Sequence, residues 1–399
     1  MTDKNSQNEE MFDLYSSSNM EEEIFSSSTK EHYYRSKKST SRKAKQKKKI
    51  KALLIALTSI LLVFTVFLAG SIYVLKNFGY NHNDIDTEDL GFSGTINKKI
   101  INIALFGVDT RNVNSMKGNT DSIMILSLNT ETKTVKVISV MRDSLVEIEK
   151  DNKKIYRKVN SAYAYGGPEL AIKTLNQNFN LDISEYATVN FFGMAEIIDA
   201  VGGIDVELTA AEAQVRVAGF EALNECIFGI CEQLEIDPKP YYITKPGKHH
   251  LNGIQAVAYS RIRKVPNIWG SNNDFGRTER QRYVMEQLFN SVKTLPKSKY
   301  LDLIKAMVPY TETSLSVNEI FSIATNIMLH SPTFEQSRIP LDEYRMSAMH
   351  SIPSAGSYVY FDRDYAADVL HAFIYENTQP ADYMAQNPVR KNDWYGALN

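Results

Sequence analysis

Acidic side chains flank two of the most hydrophobic stretches of the sequence. Asp109 directly follows the apolar stretch Ile101–Val108, and Asp121 directly precedes Ser122–Leu128. If these stretches form neighbouring strands, both carboxylates reach one edge of a sheet, where ligands commonly bind in α/β folds. Paired carboxylates suit Mg²⁺, a hard cation that keeps several waters. Aspartates in such loops also cap turns, so the pair on its own is open to both interpretations.

Arginines at three places in the chain have the side-chain type and spacing for binding phosphates. Arg142 follows a third apolar stretch, Arg261 and Arg263 are two residues apart, and Arg277 and Gln281 are four apart. Residues two apart share a face of extended chain, whereas residues four apart share a face of a helix. Guanidinium groups bind phosphate oxygens in bidentate fashion. If these side chains converge, they form a clamp for a polyanion such as a pyrophosphate.

Two further features lie close to this set in the sequence. Asp274 stands where it would cap the N-terminus of the helix that carries Arg277, and the sequence leaves a role other than capping open. Cys226 and Cys231 enclose four residues, including a glycine that permits a tight turn, so a local disulfide is expected, with two buried free thiols as the alternative. Two cysteines exclude a four-thiolate zinc site. The sequence also lacks GxxxxGK[ST], HExxH and GxSxG motifs, which argues against the enzyme classes they define.

The elements that must position these residues alternate between strands and helices. This order predicts an α/β fold, an α/β/α sandwich around a mixed central sheet. An insertion is expected at about 209–245. Predicted strands cover 101–108, 122–128, 135–140, 204–208 and 357–361, and predicted helices cover 160–180 with a break at 166–168, 191–201, 251–260, 277–292, 299–308, 317–329 and 364–376.

The N-terminal part of the chain has the pattern of a membrane anchor. Residues 52–75 are 24 consecutive uncharged positions, and residues 31–51 before them carry a net charge of +9. This charge asymmetry predicts a single-pass protein with a disordered cytoplasmic tail at 1–51, a transmembrane helix at 52–75 and residues 76–399 outside the cell membrane. Residues 76–99 are then a linker to a catalytic domain at 100–399. The overall net charge of −2 disfavours a nucleic-acid partner.

Seven phrases of the sequence resemble, in order, the motifs of the LytR–CpsA–Psr family of Gram-positive cell-envelope enzymes. The resemblance runs from about residue 100 to 292. It implies transfer of a glycopolymer, such as wall teichoic acid or capsule, from a polyprenyl-pyrophosphate carrier in the membrane to peptidoglycan. The phrases are INIALFGVDTR, GNTDSIMILSLN, SVMRDSLVEI, KVNSAYAYGG, IIDAVGGIDVEL, HHLNGIQAVAYSRIR and DFGRTERQR.

The resemblance also implies roles for individual residues. Asp109 and Asp121 match the Mg²⁺-binding pair, and Asp274 matches a residue that orients the arginines or approaches the acceptor. Arg280 either shares in the family pattern or is only a surface residue of its helix. Asn119 departs from the family pattern, because many members have arginine there; Arg111 is an alternative source of that phosphate contact. The residues that match pyrophosphate ligands are Arg142, Lys158, Arg261, Arg263, Arg277 and Gln281.

Other functions are compatible with the same motifs. A pyrophosphatase would transfer the same lipid substrate to water, and a non-catalytic envelope regulator would not need the aspartates and arginines at all. A DNA-binding transcriptional regulator is disfavoured, because the 51-residue N-terminal tail is too short and too polar to form a folded domain.

Overall fold

The computed structural model describes residues 73, 81–87, 89–92, 99–108, 110, 116, 118–214, 222–341, 351–352 and 356–388. The chain divides into the units Met1–Gly70 and Ser71–Asn399, and every described residue belongs to the second. The predicted tail, almost all of the predicted transmembrane helix and Asp109 therefore lie outside the described residues. Among the described residues, no helix combines the length and apolar character that a membrane crossing requires.

A seven-stranded mixed sheet forms the centre of the fold. Strands β2 and β3 form an antiparallel pair in which Val108 lies opposite Thr120, as the two apolar stretches predicted. The sheet order is β1–β10–β7–β2–β3–β4–β11, with parallel pairs β1–β10, β7–β2 and β4–β11. These strands are β1 (Asn81–His82), β2 (Ile100–Val108), β3 (Thr120–Asn129), β4 (Thr134–Val140), β7 (Glu185–Asn190), β10 (Thr311–Thr313) and β11 (Thr333–Ile339).

Helices cover both faces of this sheet. Phe106 and other side chains of one face pack in a core with helices α1 and α8, whereas Ile103 on the opposite face packs towards α5 and α7. Side chains alternate between faces along a strand, so the continuous apolar run of β2 serves both layers. The predicted α/β fold with a mixed central sheet is confirmed. The helices are α1 (Asn160–Phe179), α2 (Phe191–Ala200), α3 (Leu223–Gln233), α4 (Gly253–Arg261), α5 (Asn273–Thr294), α6 (Tyr300–Met307), α7 (Val317–His330), α8 (Arg363–Tyr375) and α9 (Pro380–Gln386).

A second hydrophobic core lies among α2, α3, α4, α5 and the hairpin β8–β9. Gly253 at the start of α4 is essential to this packing, because a Cβ atom there would lie 2.1 Å from the carbonyl oxygen of Ala195 in α2. The close approach of these two helices places the end of α4, which carries Arg261, beside α2. The hairpin strands are β8 (Ile204–Leu208) and β9 (Gly247–Leu251).

The structure corrects the expectation of a disulfide in the insertion. Cys226 and Cys231 are free thiols on one uninterrupted helix, α3, and Cys231 is buried in the second core. Five residues of helix rotate the side chains onto different faces and separate them by about 7.5 Å along the axis, which is too far for a disulfide. Gly229 lies within the helix and makes no turn.

Several other elements differ from the sequence prediction. The break in the helix at 160–180 is confirmed, since Gly166 and Gly167 have non-helical backbone angles. The predicted strand at 357–361 is reduced to a two-residue strand and an isolated bridge between Val359 and Ser144. Strands β7, β9 and β10 were not predicted, nor was the hairpin of β5 (Leu145–Lys150) and β6 (Lys153–Lys158). Short strands were expected in the last part of the chain, where β11 lies, but without its bounds.

Candidate active site

One carboxylate joins three of the predicted phosphate-binding arginines. Oδ1 of Asp274 lies 2.8 Å from Nη2 of Arg263, and Oδ2 lies 3.2 Å from Nε of Arg142 and 3.4 Å from Nη2 of Arg277. The arginines come from the end of α4, the end of β4 and the first turns of α5. The capping interpretation of Asp274 is wrong, because the N-cap of α5 is Asn272. Asp274 instead holds guanidinium groups together.

Asp121 is the second carboxylate of this cluster. Its Oδ1 accepts a hydrogen bond of 2.5 Å from Nη1 of Arg142, and its backbone oxygen accepts from Nη2 of Arg277 at 3.4 Å. The antiparallel pairing of β2 and β3 brings Asp121 to the sheet edge, as predicted. Its proposed metal-binding partner, Asp109, is outside the described residues. Within the described part of the chain, no three His, Cys, Asp or Glu residues group as a metal site.

The charged groups of the cluster change one another's protonation equilibria. Burial raises the pKa of Asp274, but the charges of Arg277, Arg142 and Arg263 outweigh burial and lower it overall. Burial lowers the pKa of Arg277, which is only 5% exposed. Burial also acts to lower the pKa of Arg142, but the neighbouring carboxylates, Asp121 first among them, raise it overall. The charges thus favour the ionised forms of Asp274 and Arg142, whereas burial works against the charge of Arg277, so an anion bound beside Arg277 would offset part of that cost.

Arginine side chains line a cleft of about 260 Å³ beside this cluster. The guanidinium group of Arg261 stacks over the ring of Phe191, with 4.7 Å between its Cζ and the ring centroid. Arg277 and Gln281 lie on one face of α5, as their spacing predicted. The cleft is lined by Asp121, Phe191, Glu225, Cys226, Gly229, Arg261, Arg263, Arg277 and Gln281. Phe191, Glu225 and Gly229 were not predicted as lining residues, because no spacing in the sequence pointed to a phosphate site at these positions.

Lys158 and Arg280 do not line this cleft. Nζ of Lys158 lies 2.8 Å from Oδ1 of Asp143, and the other oxygen of Asp143 lies 3.7 Å from Nε of Arg142, so Asp143 links this lysine to the cluster. The interpretation of Arg280 as a surface residue is wrong. Arg280 is fully buried and bonds Glu212 and the carbonyl oxygens of Ile262 and Val265. It fixes the chain between α4 and α5, and thereby the position of Arg263.

The structure also shows the position of Asn119, the residue that departs from the family pattern. Asn119 is exposed directly before β3 and does not line the cleft, and its suggested substitute Arg111 lies outside the described residues.

An apolar cavity of about 200 Å³ adjoins the cleft between the sheet and helices α2 and α5. Phe191 and Gln281 line both spaces, so the polar cleft and the apolar cavity share a wall. Gly107 and Ala187, two small residues of the sheet, border this cavity. Both are visible in the sequence, but only the register of the strands shows that they border the same space. The apolar lining further includes Leu105, Phe106, Met124, Val189, Met194, Ile197, Val284, Met285, Leu288 and Met307.

The chain resembles known proteins in sequence and in fold. The model of the LytR_cpsA_psr family matches residues 73–370. The polyisoprenyl-teichoic acid–peptidoglycan teichoic acid transferase TagU of Bacillus mycoides (strain KBAB4) is 30% identical over 246 residues, 61% of this chain and 70% of that protein. The similarly named TagV of Bacillus subtilis (strain 168) is 29% identical over 223 residues, 56% of this chain and about half, 51%, of that protein. The solved structure of TagT bound to LI-WTA has the same fold, with a TM-score of 0.53 and 20% identity over 73% of this chain and 99% of that chain.

Asp274→Asn should destabilise the protein, because three arginines then repel one another without a bridging charge. Removing one partner of a buried ion pair costs roughly 3–5 kcal/mol in the free energy of unfolding. A carboxyl group with a lowered pKa stabilises the fold above the pKa of the unfolded chain, and this stabilisation is lost as the pH falls below the ordinary value of 3.8. Thermal unfolding measured against pH should therefore show less acid sensitivity in Asp274→Asn than in the wild type.

Pyrophosphate should restore much of the stability of Asp274→Asn, because the anion takes the place of the lost carboxylate. The control is Asp302→Asn, which removes an exposed partner of Lys299 and should leave the melting temperature nearly unchanged with or without pyrophosphate. If Asp274→Asn and Asp302→Asn unfold alike, Asp274 does not hold the arginines.

Proposed function

The chain belongs to the LytR–CpsA–Psr family, and from this premise we propose that it transfers an anionic or capsular glycopolymer from a polyprenyl-pyrophosphate carrier to peptidoglycan. The names of TagU and TagV, which describe transfer of teichoic acid onto peptidoglycan, support the proposal. The identity of the glycopolymer is not part of it.

The observation that carries the proposal is the shared wall between an arginine-lined cleft and an apolar cavity. A polyprenyl pyrophosphate has an anionic head and a hydrocarbon tail, and each needs the surroundings that one of these spaces supplies. The tail gains by leaving water, and the head gains charged hydrogen bonds. Gln281 and the Phe191–Arg261 stack lie at the junction, where the head group would join the tail.

In the proposed reaction, a peptidoglycan hydroxyl oxygen attacks the phosphorus atom that is bonded to the glycan. A new P–O bond forms, the bridging P–O bond of the pyrophosphate breaks, and polyprenyl phosphate leaves with the electron pair and takes up the proton that the hydroxyl group releases. Such phosphotransfer depends on positioning and on charge neutralisation more than on a protein nucleophile. Arg142, Arg263 and Arg277 would neutralise charge that builds on the leaving phosphate, and Asp274 would hold these three in register.

Mg²⁺ is proposed as the cofactor. Asp121 offers carboxylate oxygen at the edge of the cleft, the hard donor that Mg²⁺ prefers, and Asp109 is its proposed partner. A bound Mg²⁺ would supply Lewis-acid polarisation of a phosphoryl oxygen. Asp121 also orients Arg142, so this carboxylate contributes to the cleft in two ways.

Arg263→Lys should lower glycopolymer transfer roughly 10- to 100-fold, because an ammonium group cannot replace a bidentate fork that contributes about 1.5–3 kcal/mol. The matched control is Arg157→Lys, an exposed arginine whose Nη1 donates to the carbonyl oxygen of Tyr156. Attachment of radiolabelled glycopolymer to peptidoglycan measures the effect. Full transfer by an Arg142→Ala, Arg263→Ala double variant would contradict the clamp.

Ala187→Trp should fill the apolar cavity and reduce transfer from a long-chain polyprenyl donor by about tenfold or more, since the tail is then left in water. A donor with a short prenyl chain should be used nearly as well as by the wild type. Ala164→Trp, on the exposed side of α1, is the control and should not distinguish the donors. Equal losses with both donors in Ala187→Trp would show that the cavity does not hold the tail.

Asp121→Ala should leave the protein folded but with little or no transfer, because it removes a proposed metal ligand and a partner of Arg142. EDTA should have the same effect on the wild type, reversed by Mg²⁺ and poorly by Ca²⁺, whose larger radius suits a different coordination. Calorimetry should show weaker Mg²⁺ binding by Asp121→Asn than by the wild type. Unchanged specific activity in Asp121→Ala would end the metal hypothesis.

We further propose that residues 52–75 anchor the protein in the membrane with the catalytic domain outside, a topology supported by the basic flank at 31–51. Protease added to intact protoplasts should then digest the chain beyond residue 80 and spare the N-terminal tail. A protected C-terminal domain would contradict this topology.

A further inference from the structure

Two segments that are distant in the sequence form different parts of the wall of the arginine-lined cleft. Glu225, Cys226 and Gly229 of α3 belong to one part, and Arg261 and Arg263 belong to the other. The length of chain between these segments does not fix the distance between them. Contacts outside the cleft therefore decide where Arg263 lies relative to α3.

Glu212 is bonded both to the start of α3 and to α5. Its backbone oxygen accepts a hydrogen bond of 3.2 Å from the backbone N–H of Leu223, the first residue of α3. Its Oε1 atom accepts a hydrogen bond of 2.7 Å from Nε of Arg280, and its Oε2 atom accepts one of 2.8 Å from the backbone N–H of Thr209. The side chains of Glu212 and Arg280 are both 0% exposed. Because a buried carboxylate is strongly unfavourable without such partners, Glu212 is confined to one position.

Arg280 carries this constraint to the chain around Arg263. Its Nη1 atom donates to the carbonyl oxygen of Ile262 at 3.0 Å, and its Nη2 atom donates to that of Val265 at 2.8 Å. These two carbonyl groups lie on either side of Arg263 in the sequence. Because a guanidinium group is planar and rigid, the bond between Glu212 and Nε fixes the directions of the other two nitrogen atoms.

A further bond holds the same loop. Arg263 lies in the loop after α4, and its side chain is 40% exposed. Thr209, whose N–H group bonds Glu212, donates from Oγ1 to the carbonyl oxygen of Pro266 at 3.2 Å. The loop is therefore held at three carbonyl oxygens, and both of the residues that hold it are bonded to Glu212.

We propose that Glu212 is a positioning residue for anion binding in the cleft. It anchors Arg280 to the start of α3, and Arg280 in turn sets the place of the loop that carries Arg263. Glu212 does not line the cleft itself, so its effect on an anion passes through the arginine. The proposal rests on the proposed function in one respect, because it takes Arg263 to be a ligand of the pyrophosphate head group.

Calorimetry of the full-length protein in detergent, with inorganic pyrophosphate as the ligand, tests this role. Glu212→Gln should raise the Kd of pyrophosphate by about tenfold, because Arg263 is then no longer held in place before the anion arrives. In an Arg263→Ala background, Glu212→Gln should change the Kd by less than about twofold, since residues that act through one another are not additive. An unchanged Kd in Glu212→Gln, or an equal loss of affinity in both backgrounds, would overturn the proposal.

A double variant separates the position of the loop from the stability of the fold. Glu212→Gln leaves the charge of Arg280 buried without its partner, whereas Glu212→Gln, Arg280→Met removes both charges and should recover part of the lost melting temperature. Its affinity for pyrophosphate should stay low, because the carbonyl groups of Ile262 and Val265 still lack their donors. Wild-type affinity in the double variant would show that the ion pair supports only the fold.

Lys136→Met is the control for a general loss of stability. Lys136 is a buried cation of β4, and its Nζ atom donates to the carbonyl oxygen of Phe373 at 2.5 Å and to Oδ1 of Asn377 at 2.7 Å. The variant should melt at a lower temperature, because these acceptors lose their donor, but it should bind pyrophosphate as the wild type does. A loss of affinity as large as that of Glu212→Gln would overturn the proposal. Binding requires no transfer, so a protein that gives the expected Kd values but transfers no glycopolymer would contradict the proposed function and support the role of Glu212.

Discussion

The carboxylate of Asp274 is the contact on which the candidate site depends. Three guanidinium groups from separate segments lie within 3.4 Å of its two oxygens, and without it their mutual repulsion would spread them apart. A phosphate-binding cleft needs its cations close together before the ligand arrives, since ordering them at binding would reduce affinity. Asp274 provides this preorganisation, and it occupies only part of the hydrogen-bonding capacity of each arginine. The remaining N–H groups are left for an incoming anion.

Helix α5 distributes its side chains among four environments. Arg277 and Gln281 face the cleft, Val284 and Leu288 face the apolar cavity, Arg280 points into the core, and Arg282 borders a separate cavity among α5, β11 and α9. Consecutive residues on a helix are turned by about 100°, so a charged stretch such as Arg280–Gln281–Arg282 necessarily serves different surroundings. Helix α5 accommodates several buried cations because contacts with neighbouring segments fix its position at both ends of the cleft. The bonds of Arg280 secure the segment that leads from α4, and the apolar residues of its later turns lie against the sheet.

The sequence predicted features that depend on a local pattern, and it did not predict features that depend on pairing between distant segments of the chain. Apolar runs located β2, β3 and β4 to within about two residues, and the glycine pair in α1 marked its break. The spacing of Arg277 and Gln281 correctly placed them on one face.

In contrast, β11 is defined by its parallel pairing with β4, far away in sequence, and no local signal specifies that partner. Arg280 and Arg282 look alike in sequence, and only the third dimension shows that one is fully bonded and the other is not. The cysteines were misjudged because a glycine between them suggested a turn, whereas the buried face formed by Leu223, Ile227, Ile230 and Cys231 stabilises a helix.

The charge balance of the described cleft bears on the cofactor. The cleft and the Asp274 cluster beside it together contain four arginines, Arg142, Arg261, Arg263 and Arg277, and three carboxylates, Asp121, Asp274 and Glu225. These described residues carry one net positive charge. A pyrophosphate diester carries one negative charge on each phosphoryl group, so the arginines alone do not neutralise it. Lys158 does not close the gap, because it is paired with Asp143. In a partly buried site, uncompensated charge is unfavourable, and the deficit favours an additional cation. Asp121 is the carboxylate at the sheet edge from which such a cation would reach the head group, and it would then share that carboxylate with Arg142.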